Sequence, residues 1–135
     1  MSVWDDLTAE QYAVMINAVE EAFINDVIDE YGARLQWAKT RSTLAPSQLD
    51  DQMKRALIPR FAGAVSELVA RGWIEIRDSY SGTWEDARPI SSEEFDTVLS
   101  DPDVWILREE RPRMIMLGVT DLWNRVAAQP DPPHS

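Results

Sequence analysis

No cysteine occurs in the 135-residue chain, and its one histidine, His134, stands in a proline-rich tail. Disulfides, thiolate zinc centres and cysteine nucleophiles are therefore excluded, and a Ser-His-Asp triad nearly so. Glycine is scarce as well. Gly63, Gly82 and Gly118 stand alone, so there is no phosphate-cradling loop and no dinucleotide fingerprint. No apolar run approaches the roughly 18 residues that a membrane span requires. Basic charge is missing from the start of the chain, where Trp4-Asp5-Asp6 is acidic at the place of a leader's basic region, so a cytoplasmic protein is expected. What is present is apolar enough to fold. With 44% hydrophobic residues the chain should form a soluble single domain over residues 1–129, followed by a disordered tail at 130–135.

The first helix carries the clearest periodicity. Tyr12, Met15, Ile16, Val19, Phe23, Val27 and Tyr31 recur every three or four residues, which predicts an amphipathic helix over 9–30. Thr8 with Gln11 forms a capping box at its start, and Gly32 is its expected stop. A short helix is expected over 33–41. Ser47 with Asp50 reads as a cap before a helix over 48–57, and Pro59 should break or sharply kink the chain there. A further apolar face from Phe61 to Val69 runs to Arg71, with Gly72 as a left-handed cap. Trp73 to Arg77 alternates like a strand. Ser91 with Glu94 caps a helix at 92–100, and Thr120 opens a last helix at 121–128. Val104–Leu107 and Arg113–Leu117 are strand candidates that pair most simply as a hairpin.

Two stretches carry a family likeness. Val65-Ser66-Glu67-Leu68-Val69-Ala70-Arg71-Gly72-Trp73-Ile74-Glu75-Ile76 resembles the end of a winged-helix recognition helix running into the first wing strand. Arg113-Met114-Ile115-Met116-Leu117-Gly118-Val119-Thr120-Asp121-Leu122 is similar to the second wing strand and the start of the closing helix in that superfamily. The likeness covers about half the chain. It implies an α+β, winged-helix-like fold with a mostly helical N-terminal half, a small antiparallel wing sheet and a closing helix. In place of a short wing turn, however, residues 78–112 hold ten acids against three arginines. A wing that docks on DNA normally brings bases to the phosphates, so this insertion opposes docking.

Charge is distributed in blocks that sum to −11: −8 over residues 1–30, +4 over 31–60, −8 over 61–110 and +1 over 111–135. The basic block offers one candidate site. Lys54, Arg55 and Arg60 could meet phosphates while Gln52 reads base edges, which would make the protein a DNA-binding transcriptional regulator. The alternative is that Arg34, Lys39 and Arg41 neutralise the acidic first helix. The acidic insertion offers the other candidate. Trp84, flanked by Glu85 and Asp86 and followed by Glu93 and Glu94, could anchor a basic protein partner, since tryptophan is enriched at interface hot spots. Its rival role is to fold back over the wing sheet. Adjacent carboxylates in a loop or a capped helix seldom acquire the raised pKa of a catalytic acid, so a carboxylate-dependent hydrolase is the weakest alternative. The leading expectation is a non-enzymatic interaction module with no metal and no cofactor. A long first helix also leaves room for a homodimer.

Overall fold

The computed structural model describes residues 3–42, 47–79, 83–106 and 114–128. The fold is α+β and mostly helical. In chain order it comprises α1 (Ala9–Val19), α2 (Val27–Thr40), α3 (Asp51–Ala70), β1 (Ile74–Asp78), β2 (Arg88–Pro89), α4 (Ser92–Ser100), α5 (Pro102–Trp105), β3 (Ile115–Val119) and α6 (Asp121–Ala128). The strands form an antiparallel sheet in the order β2-β1-β3, with Ile74 opposite Val119 and Asp78 opposite Ile115. An isolated bridge between Phe23 and Met116 extends β3 on its far side.

The expected long helix over 9–30 is two helices. Thr8 and Gln11 do make the capping box, each accepting the other's backbone N–H. At the other end the Ala22 N–H reaches the Asn17 carbonyl (2.8 Å) and the Glu21 N–H reaches Ala18 (3.1 Å), with Glu21 left-handed at φ 54°. This is a Schellman stop built on a glutamate instead of the usual glycine. The break releases Ala22, whose carbonyl accepts the Leu117 N–H at 2.9 Å, so the local cost of the left-handed turn is offset by pairing with β3. The periodicity of Phe23, Val27 and Tyr31 therefore belongs to a second helix. Gly32 does not stop that helix. It lies buried in the middle of α2, where a Cβ would strike Ser47 and come within 2.8 Å of Leu49. The helix expected over 33–41 is the second half of α2.

Two further expectations are corrected on α3. Its N-cap is Asp50, whose carboxylate accepts the Met53 N–H at 2.8 Å, while Ser47 accepts from Leu49 in the preceding turn. The helix then passes through Pro59 unbroken. Proline inside a helix costs about 3 kcal/mol. Here one continuous stripe on both sides of it, Ile58, Phe61, Val65 and Leu68, is buried in the core, and that burial outweighs the lost hydrogen bond. Pro59 itself faces outward. Gly72, at φ 77°, ends α3 with the same pair of Schellman hydrogen bonds as α1, here from Trp73 to Leu68 and from Gly72 to Val69.

The expected hairpin of 104–107 with 113–117 is replaced. Asp101 accepts the Asp103 N–H at 2.9 Å, Pro102 pre-sets the first turn, and α5 forms where a strand was expected. β3 pairs with β1 instead, two residues later than the expected range. Residues 107–113 and the tail from 129 lie outside the described residues. Trp105 and Trp123 are buried in the core, whereas Trp73 is half-buried against Trp123 at 5.2 Å between ring centres.

Candidate functional site

The acidic insertion is tied to the body at three points. β2 is a two-residue edge strand on β1. Ser91 caps α4 through the Glu94 N–H, and Val98 and Leu99 bury one side of that helix. Trp105, 1% exposed, donates its indole N–H to the Leu99 carbonyl at 2.8 Å and packs near Phe61. These anchors leave a groove of about 350 Å³ between the last turns of α3, the β1-β2 edge and α4. Its walls are Val69, Ala70, Ile76, Pro89, Ile90 and Phe95, and Glu75 and Asp96 are the acidic residues of its lining.

The insertion residues singled out in the sequence take different positions. Trp84 is half-buried and turned back onto the sheet. Its ring lies where a Cβ on Gly118 would be, so only glycine permits this approach. The Arg77 guanidinium sits 4.1 Å from the ring centre and donates to the Trp84 carbonyl at 3.1 Å. Arg77 also reaches Glu75 at 2.9 Å. Glu85 and Asp86 are exposed, and Asp86 accepts from the Thr83 hydroxyl. Glu94 is held by Arg88 through two bonds of 3.1 and 3.2 Å. Glu93 and Asp96, three residues apart on the outer side of α4, have no cation within 4 Å among the described residues.

The basic block is arranged differently. Lys54 meets Asp29 of α2 at 2.7 Å and is only 20% exposed. Arg60 pairs with Glu10 of α1, and Arg55 lies 4.0 Å from Asp51. Gln52 is exposed on the first turn of α3. Arg34 pairs with Glu30 at 3.0 Å while its guanidinium packs over both Tyr12 and Trp37. Thus Arg34 is joined by Lys54 and Arg60 in neutralising the acids of the first two helices, whereas Lys39 and Arg41 face no carboxylate among the described residues. Beside this network, burial raises the pKa of Asp26, the Phe23 backbone hydrogen bond opposes the rise, and Asp29 and Glu30 add to it.

Arg77, Ala70, Phe95 and Asp96 were not among the residues expected to matter. Strand alternation does place Glu75 and Arg77 together on one face, and an isolated glycine in a strand marks a close approach, so a signal for Arg77 and Gly118 was present. Ala70 had none, and Asp96 was marked only as one of the ten acids of the insertion. Among the described residues no group of three His, Asp or Glu is placed to hold a metal ion, and no helix is long and apolar enough to cross a membrane. Comparison with family models, curated proteins and solved structures finds no match to this chain.

Proposed function

We propose that the chain is a non-enzymatic protein-interaction module on a winged-helix-like scaffold, and that its acidic insertion binds a basic protein partner. The scaffold reading is supported by the element order: three helices, two antiparallel strands separated by the insertion, and a short bridge at Phe23 laid beside the second strand. One observation carries the functional reading. Carboxylates of the insertion, Glu93 and Asp96 on α4, face no cation among the described residues, while the cations named for DNA each face a carboxylate already. Unbalanced surface charge steers an oppositely charged partner, and balanced pairs contribute little to such a field. A DNA-reading face built from Lys54, Arg55 and Arg60 would first have to release Asp29, Asp51 and Glu10.

The reading is tested by titrating the protein with a labelled lysine-rich peptide and, in parallel, with random-sequence duplex DNA at two salt concentrations. Peptide binding that weakens with salt and falls when Glu85, Asp86 and Glu93 are each changed to lysine is the expected result. Duplex binding lost in Lys54→Glu with Arg55→Glu, with no peptide binding, would replace this reading by the DNA-binding regulator.

A further inference from the structure

Resting on that reading, we infer that the groove between α3 and α4 receives a large apolar side chain of the partner while Glu75 and Asp96 receive a lysine or arginine beside it. The groove's walls are apolar at their centre, through Val69, Ile76, Ile90 and Phe95. Its volume of about 350 Å³ is at the low end of ligand sites. Charge complementarity decides what enters. Asp96 lines the groove with no cation within 4 Å among the described residues, and Glu93 continues the same negative edge one turn toward the start of α4. Glu75, which also lines the groove, gives one carboxylate oxygen to Arg77, and Arg77 is itself stacked on Trp84.

An apolar residue alone would leave those carboxylates facing an apolar ligand, and a cation alone would leave Phe95 and Val69 uncovered. A segment that carries both, three or four residues apart on a helix or adjacent in an extended stretch, satisfies each part of the site. Trp84 has a defined part in this arrangement. It is not the anchor that enters the partner; it holds Arg77, and through Arg77 it orients Glu75.

A random peptide library displayed on phage and selected on the full chain tests the inference. Recovered sequences should combine a large apolar residue with lysine or arginine within one helical turn. Their affinity should fall about tenfold or more in Ala70→Trp, which fills the groove from an exposed position, and by a similar factor in Asp96→Lys, with circular dichroism unchanged in both. Basic sequences without an apolar residue, or sequences that bind Ala70→Trp as well as wild type, overturn the groove as the docking site. If that binding is still abolished by Glu85→Lys with Asp86→Lys, the acidic insertion remains the binding surface and only the groove is wrong. A selection with no enrichment of lysine or arginine overturns both.

Discussion

On α3, Lys54, Arg55 and Arg60 are each matched to a carboxylate, two of them on neighbouring helices; on α4, Glu93 and Asp96 are matched to nothing among the described residues. The first arrangement joins helices and cancels charge. The second leaves charge facing outward next to an apolar groove. Sequence counts alone rank these regions in the opposite order of interest for nucleic acid, because the basic block is the most positive stretch of a chain with net charge −11. What the contrast teaches is that the availability of a charge, more than its local density, marks a surface able to recruit a partner.

The largest expected effect comes from detaching the insertion. Trp105→Ala removes a buried indole and its hydrogen bond to Leu99, and should cost about 3–5 kcal/mol, read from the denaturant midpoint. A loss below about 1 kcal/mol would mean that the insertion is held elsewhere. Next is Gly118→Val, which evicts the Trp84 ring and should cost about 1–3 kcal/mol. In a Trp84→Ala background most of that cost should vanish, and an undiminished cost would show that the strand and not the ring is the source. The comparison itself is tested by Lys54→Ala against Glu93→Ala. The former should lower stability by up to about 1 kcal/mol, less at high salt, while the latter should leave it unchanged or slightly higher. Equal losses from both would erase the distinction between the two faces.

The smallest effect concerns pH. Asp26 has a folded pKa above its ordinary value of 3.8, so between those two values the native state binds more protons than the unfolded chain. Stability contributed by this group is therefore present at low pH and is lost as pH rises through the folded pKa. Asp26→Asn should flatten that part of the stability profile and leave the remainder unaltered. A steeper profile in the variant would reverse the assigned sign.

Much of the fold was legible where a signal had one meaning. The capping box at Thr8, the Ser91 cap of α4, the left-handed stop at Gly72 and the last helix at 121–128 all stand where local chemistry placed them. Errors arose where long-range pairing overrode a local rule. Glu21 takes a conformation that favours glycine because the chain must turn to place Ala22 beside Leu117, and the apolar repeat gave no hint of a stop. Pro59 misled in the other direction, since its exposed position let a core-facing stripe carry the helix through. Val104 and Trp105 have strand character, yet the Asp101-Pro102 turn wound them into α5. Of the candidate site, the acid excess was visible in composition. The groove was not, because it is made by Val69, Ile76 and Phe95 from three separate elements that only the folded chain brings together.

The central claim is that the unmatched acids of α4, and not the matched cations of α3, form the recognition surface. It is tested most directly by measuring the affinity of one selected basic peptide for two charge-reversed proteins, Glu93→Lys with Asp96→Lys and Lys54→Glu with Arg55→Glu. Reversal on α4 should weaken binding about tenfold or more and shrink its salt dependence, while reversal on α3 should leave affinity unchanged or slightly increased. Affinity that is indifferent to α4 and lost on α3 reversal would contradict the account.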